Sequence, residues 1–198
     1  MTHRYPIPKL TFLLVLAVTG LHTLVPDRAG LYFGLTEILD GEHWRALSGH
    51  FVHVDGNHLA WNVLGLAILG WLVERHSPAL LASALIAGVI AVNVLLIAPW
   101  TGLDYYCGLS GALNALLVVA LWLEWRASPS PWIATVAAAC LAKVVLEIVT
   151  GNAVFSDIGW PPFALSHLAG MAGGIGLLAV WWPPLPRPQR CKPSPEAV

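Results

Sequence analysis

The sequence predicts an all-α integral membrane protein, built as a bundle of six transmembrane helices. Charged residues make up only 11% of its 198 residues, whereas a soluble domain carries about 25%. Hydrophobic residues reach 57%, and they fall into six runs close to the roughly 20 residues that a helix needs to cross a bilayer. This composition excludes a disordered chain and argues against an ordinary soluble globule.

Prolines, glycines or charged residues separate the six predicted spans. The first span follows Arg4 and Lys9, and no clear cleavage site ends it before Pro26. We therefore interpret it as a retained anchor and not as a signal peptide. The spans are predicted at about 10–25, 58–73, 78–98, 108–125, 132–149 and 165–182.

Two segments lie outside these spans. Residues 26–57 mix charged side chains with leucine and aromatic residues, a pattern typical of an amphipathic loop at the membrane interface. Residues 186–198 are rich in proline and basic side chains, which predicts a disordered tail. We expect the whole chain, 1–198, to form a single domain.

The distribution of lysine and arginine predicts the orientation. With six spans, both termini and the loops after spans two and four share one side of the membrane, and that side holds seven of these residues against two on the other. Positive residues favour the cytoplasmic side, so both termini are predicted to be cytoplasmic. The seven are Arg4, Lys9, Arg75, Arg126, Arg187, Arg190 and Lys192, and the two are Arg28 and Arg45.

Neither the charge nor the cysteines and histidines point to a nucleic acid or a bound metal. The net charge of −1 gives no reason to expect nucleic-acid binding, and the three cysteines lack metal-ligand spacing. The spacing of His50, His53 and His58 allows a metal site, but loop histidines bonded to backbone or water are the preferred interpretation. A zinc-protease motif is absent from the sequence. We predict no metal and no cofactor.

Three predicted spans begin with polar side chains, which are costly inside a membrane. Span two carries His58 and Asn62 one turn apart, span four carries Ser110 and Asn114, and span six begins near His167. Each alone has a structural explanation, since a serine in a membrane helix usually bonds to its own backbone. Their shared depth on three helices instead favours a nucleophile, a base and oxyanion donors. A transporter is disfavoured because no internal repeat is visible.

These motifs resemble those of the rhomboid intramembrane serine proteases. Span two contains His-x-x-x-Asn from His58, span four contains Gly-x-Ser-Gly-x-x-x-Ala from Gly108, and span six contains small-His-x-x-Gly-x-x-x-Gly from Ser166. The resemblance extends from about Trp44 to Gly176 and implies a six-helix rhomboid-like bundle. It also implies endopeptidase activity near the outer face of the membrane.

The resemblance implies a role for each polar residue. Ser110 would be the nucleophile and His167 the general base, in a dyad without an acid. His58, Asn62 and the backbone N–H of Ser110 would form the oxyanion hole, and Gly108 would belong to the turn that exposes the serine.

Two further expectations concern spans four and six. Gly170 and Gly174 would let span six approach span four closely near Gly111. Many rhomboids carry an aromatic residue four positions after the serine, where this sequence has Asn114. Asn114 is expected to lie at the oxyanion and substrate site, and we hypothesise that it hydrogen-bonds the imidazole of His167.

Within the family, the chain resembles the rhombosortases. Its small six-span form, the Trp-Arg-x-Leu-x-Gly-His-Phe-Val-His run at 44–53 and an ionisable pair in span five carry this resemblance. It implies a bacterial inner-membrane protein. Its partners would be membrane lipids and transmembrane substrates with a C-terminal GlyGly-CTERM tail, which is a glycine pair, an apolar span and a short basic end. The acyl group would pass to water or to an amine.

The ionisable pair in span five is Lys143 and Glu147, spaced i, i+4. Two interpretations remain open: a self-neutralising pair that faces the bundle interior, or a polar contact for the substrate or an amine acceptor. A catalytically inactive rhomboid-like protein that binds or chaperones membrane clients also remains an alternative to the protease.

Overall fold

The structure is a computed structural model that describes residues 7–154 and 162–181. These residues contain eight α-helices, one 3-10 turn at Ala29–Leu31 and two short strands. The predicted tail at 186–198 lies outside the described residues. The helices are α1 (Lys9–Leu24), α2 (Leu35–Leu39), α3 (Arg45–Ser48), α4 (Gly56–Glu74), α5 (Pro78–Leu96), α6 (Ser110–Ala127), α7 (Pro131–Thr150) and α8 (Leu165–Val180), and the strands are β1 (Phe33–Gly34) and β2 (Tyr105–Tyr106).

The six long helices, α1 and α4 to α8, coincide with the six predicted spans, and no end differs by more than two residues. Local sequence explains several of these ends. Asp55 caps α4, while Ser77 and Ser130 cap α5 and α7 with their hydroxyl groups, each directly followed by a proline. A side-chain cap satisfies a free N–H of the first turn, and proline there sacrifices no hydrogen bond.

Three of the described helices, α4, α5 and α7, are long and apolar enough to cross a membrane. The apolar helices α1 and α8 have 16 residues each, which is about 24 Å of helix against a hydrocarbon core of about 30 Å. The prediction of a mostly helical protein is confirmed, and three of its helices are candidate membrane spans. The count of six spans stays a prediction.

Helix α6 lies among α4, α5, α7 and α8. Its packing against α8 depends on glycine: a Cβ added at Gly170 would lie 1.8 Å from the carbonyl oxygen of Gly111, and one added at Gly174 would lie 2.7 Å from that of Ala115. The close approach predicted for these two helices is therefore confirmed. By contrast, α7 buries only Val144 and Glu147.

The segment 26–57, predicted as an interfacial loop, is folded. Its strand β1 pairs antiparallel with β2 and sets Phe33 opposite Tyr106, and these two-residue strands depart from the all-α prediction. Phe33 is fully buried, and Arg45, 9% exposed, donates a hydrogen bond to the carbonyl of Ala29 at 3.0 Å. Contacts between distant parts of the chain hold this segment in its fold. The local sequence pattern of residues 26–57 could not show these contacts.

Candidate active site

Ser110 is the first residue of α6 and follows a tight turn. Gly108 in this turn has φ of +115°, a backbone conformation that residues other than glycine rarely adopt. Its N–H donates to the carbonyl of Gly49 at 2.9 Å, and its carbonyl accepts from the hydroxyl of Tyr106 at 3.0 Å. Two neighbouring segments thus fix the turn that presents the serine.

His167 lies in the first turn of α8 and faces this serine. Its Nε2 is 2.9 Å from Ser110 Oγ, and the residue is only 8% exposed. Together with His58 and Asn62 from the start of α4, these side chains line a cavity of about 290 Å³. The structure therefore brings together the polar residues of three helices that the sequence placed at a common depth.

A carboxylate occupies the other side of the histidine ring. His167 Nδ1 is 3.1 Å from Glu147 Oε2, and Glu147 in the last turn of α7 is 2% exposed. The second oxygen, Oε1, accepts from Lys143 Nζ at 2.7 Å and from the N–H of Val154 at 2.9 Å. Lys143 and Glu147 thus form the ion pair that their i, i+4 spacing allows, while their contact with a substrate or acceptor stays a prediction. The contact with His167 differs from the dyad without an acid that the resemblance implies.

His58 and Asn62 form the opposite wall of the cavity. Asp55 caps α4 by accepting from the N–H of His58 at 2.7 Å, and the imidazole lies so close to Gly108 that a Cβ there would be 2.6 Å from Nε2. The Asn62 side chain donates to the carbonyl of His58 at 2.8 Å. An amide NH₂ group has two hydrogens, so the second is free for a bound group. Their oxyanion roles stay predictions.

Asn114 lines the same cavity, but its side chain makes its hydrogen bond elsewhere than to the histidine ring. Its side-chain NH₂ donates to the carbonyl of Ser110 at 2.9 Å, one turn back on α6. Both ring nitrogens of His167 face other partners, Ser110 and Glu147. The hypothesised hydrogen bond from Asn114 to His167 is therefore wrong, because the side chain satisfies its own helix backbone instead.

Comparison with known proteins identifies the family of the chain. Residues 40–184, more than half of the chain, match the family described as the Rhomboid domain. The chain belongs to the rhomboid family. Over 149 residues it is 30% identical to the Rhomboid protease GluP of Bacillus subtilis (strain 168), a match that covers 72% of this chain and 27% of that protein. The matched part thus spans about a quarter of that relative's length. Family membership and the apolar helices identify an integral membrane protein.

Tyr106 and Cys107, just before the Ser110 turn of this rhomboid, also line the cavity, although neither was predicted as a site residue. Burial raises the pKa of Tyr106 to about 12, and its hydroxyl supports the turn at Gly108. Burial also raises the pKa of the Cys107 thiol to about 12, so this thiol stays protonated and is a poor nucleophile. The position of both beside the Gly-x-Ser-Gly motif was the available signal.

The loop histidines of the rhomboid lie against other side chains, and their predicted bonding to backbone or water stays a prediction. His50 Nε2 is 3.1 Å from the side-chain oxygen of Asn93. His53 is completely buried, and its ring meets that of His58 edge-on, with centroids 4.9 Å apart. Within residues 7–154 and 162–181, no group of three or more His, Cys, Asp or Glu side chains is arranged to hold a metal ion.

Buried His53 predicts a loss of stability in mild acid. Burial, together with His58, His22 and Arg28, lowers its pKa to about 3, although Asp55 opposes the shift. An unfolded chain has a histidine pKa of about 6.5 and therefore binds more protons between these two values. The stabilisation is complete above pH 6.5 and falls towards pH 3, by up to about 1.4 kcal/mol per pH unit.

Thermal unfolding in detergent between pH 7 and pH 5 tests this prediction. His53→Phe removes the titrating group, so its melting temperature should depend less on pH than that of the wild type. His43→Phe changes an exposed histidine and serves as the matched control, with the wild-type dependence expected. Equal pH dependence in His53→Phe and the wild type would contradict the prediction.

Proposed function

We propose that this rhomboid protein is an intramembrane serine endopeptidase that uses Ser110 as nucleophile and His167 as general base. The observation that carries the proposal is the distance of 2.9 Å between Ser110 Oγ and His167 Nε2 in a cavity lined by apolar helices. A hydroxyl hydrogen-bonded to a neutral imidazole is activated to attack a carbonyl. The name of the similar Bacillus subtilis protein, a rhomboid protease, supports the same activity.

The reaction proceeds in two halves. Ser110 Oγ attacks the carbonyl carbon of the scissile peptide bond while His167 Nε2 takes the hydroxyl proton. The negative oxygen of the tetrahedral intermediate is assigned to the backbone N–H of Ser110, His58 Nε2–H and the side-chain N–H of Asn62. His167 then passes its proton to the leaving amine as the C–N bond breaks. Water or an amine attacks the remaining ester and restores the serine.

The proposed substrates are transmembrane proteins with a GlyGly-CTERM tail. The motifs at 44–53 support this choice, and so does the physics of a glycine pair. Each glycine weakens a helix by about 1 kcal/mol relative to alanine, so the pair lets a membrane helix unwind and present a peptide bond to the cavity. Lys143 and Glu147, both in the cavity wall, stay candidates for contact with the substrate or an amine acceptor.

Cleavage in proteoliposomes tests both the endopeptidase activity and the proposed substrate. The reporter carries a GlyGly-CTERM tail, and its matched control has Ala-Ala in place of the glycine pair. The two glycines together predict about 30-fold slower cleavage of the control. Mass analysis of the new C-terminus, with an amine added, distinguishes hydrolysis from transfer. Equal cleavage of both reporters would contradict the proposed GlyGly-CTERM substrate. If neither reporter is cleaved and a fluorophosphonate does not label Ser110, the proposed endopeptidase activity is contradicted.

A catalytically inactive protein that binds or chaperones membrane clients is the alternative function. The contact between Ser110 and His167 favours the enzyme, since client binding does not require a serine hydroxyl hydrogen-bonded to an imidazole. The same reporter separates the two, because an inactive protein binds the tail and leaves it intact.

Asn114→Ala is expected to keep most of the turnover. The amide hydrogen-bonds the helix backbone at the carbonyl of Ser110, and both ring nitrogens of His167 have other partners. One such hydrogen bond contributes about 1 kcal/mol, so kcat should fall by no more than about fivefold in the reporter assay. A loss of 100-fold or more would show that Asn114 takes part in the chemistry, and the unfolding temperature of the variant would exclude simple loss of the fold.

A further inference from the structure

We infer that Glu147 is a positioning residue for His167, so that the site is a chain of Ser110, His167 and Glu147 and not a serine–histidine pair alone. This inference rests on the proposed function. In this role, the carboxylate of Glu147 determines which imidazole nitrogen of His167 carries the proton.

The geometry around the ring determines that choice. A neutral imidazole has one N–H, and an ionised carboxylate only accepts hydrogen bonds. The 3.1 Å contact with Glu147 Oε2 therefore places the hydrogen on Nδ1. The lone pair is left on Nε2, 2.9 Å from Ser110 Oγ, so the serine hydroxyl donates to the ring. With the hydrogen on Nε2 instead, the ring would donate to the serine and could not accept its proton.

The carboxylate is itself held in place. Its second oxygen accepts from Lys143 Nζ and from the N–H of Val154, just beyond the end of α7. The Lys143 side chain is 33% exposed while that of Glu147 is 2% exposed, so a partly exposed cation pairs with a buried carboxylate. Burial of an ion requires such pairing and hydrogen bonding. These contacts fix the orientation of the carboxylate towards His167.

The same carboxylate acts during the reaction. When His167 takes the serine proton it becomes positively charged, and a negative group 3.1 Å from Nδ1 stabilises that state. Glu147 is also one of the two buried residues of α7 and holds that helix against α8. The experiment therefore has to distinguish the positioning role from a purely structural one.

Glu147→Gln keeps the size of the side chain and removes its charge. We expect kcat to fall by about 10²- to 10⁴-fold. The acidic limb of the profile of kcat/KM against pH should move to lower pH by about one unit or more, since the protonated ring loses its ionic partner. The other titratable side chains around the cavity are His58, Tyr105, Tyr106, Cys107 and Lys143, of which Lys143 also loses its ionic partner in this variant.

Glu74→Gln is the matched control. Glu74 is also a buried glutamate at a helix end, 8% exposed, and it accepts from the N–H groups of Leu10 and Thr11 at 2.8 and 2.7 Å. Its variant should lower the unfolding temperature without moving the acidic limb. If Glu147→Gln behaves in the same way, with lower stability and an unmoved limb, the inference is overturned.

Nitrogen NMR of 15N-histidine-labelled protein in detergent tests the inference without turnover. His167 is identified as the resonance that disappears in His167→Gln. The wild type should carry the proton on Nδ1, and Glu147→Gln should show both tautomers. A wild-type ring protonated on Nε2 would refute the positioning role. Absence of cleavage by the wild type would instead count against the proposed function, and the NMR result would still decide the role of Glu147.

Discussion

Replacement of Ser110 with alanine is expected to abolish cleavage of the GlyGly-CTERM reporter, with a loss of at least about 10⁴-fold in kcat. The hydroxyl oxygen of Ser110 lies 2.9 Å from His167 Nε2, so its removal leaves the proposed general base without a nucleophile to activate. The proposed oxyanion donors remain and would account for any residual rate. The neighbouring Cys107 cannot substitute, because burial raises the pKa of its thiol to about 12.

A serine-directed fluorophosphonate gives the second readout for this variant. The reagent should label the wild type and leave Ser110→Ala unlabelled. Ser83→Ala, in the apolar helix α5, is the matched control and should retain both labelling and cleavage. Undiminished cleavage by Ser110→Ala would refute its assignment as the nucleophile.

Gly170→Ala is expected to reduce kcat by about 100-fold or more, although the substitution touches no reacting group. An added Cβ would lie 1.8 Å from the carbonyl oxygen of Gly111, far inside van der Waals contact, so α8 must move away from α6. His167 precedes Gly170 by one turn and moves with it. A displacement of about 1 Å at a catalytic group is enough to cost 10²-fold in rate.

Two other glycines on α8 make this prediction a graded series. A Cβ at Gly174 would lie 2.7 Å from the carbonyl oxygen of Ala115, whereas one at Gly176 would meet nothing within 4 Å. Gly174→Ala should therefore show a smaller loss than Gly170→Ala, and Gly176→Ala should cleave the reporter like the wild type. Comparable activity in all three variants would mean that the separation of α6 and α8 does not control the site.

The sequence predicted the six long helices to within two residues at each end. Their apolar lengths and their caps at Asp55, Ser77 and Ser130 are local properties, which need no knowledge of the neighbouring helices. The same holds for the pairing of Lys143 with Glu147, because residues four apart share one face of a helix. Motif order was also sufficient to propose Ser110 and His167 as partners.

Other features depend on how distant parts of the chain meet. The folding of 26–57 rests on β1 pairing with β2, more than 70 residues later along the chain. Asn114 hydrogen-bonds its own helix backbone and not His167, because both ring nitrogens of His167 have other partners. A sequence pattern shows which residues are polar, but it does not show which partners they reach.

Glu147 illustrates the division most clearly. The spacing of Lys143 and Glu147 shows an ionisable pair near the end of an apolar helix. Only the packing of the helices brings the carboxylate to His167 Nδ1, 20 residues away in the chain, at 3.1 Å. That contact depends on the rotation of α7 about its axis and on its height relative to α8. Both are set by side-chain packing between the helices, which no periodicity within α7 encodes.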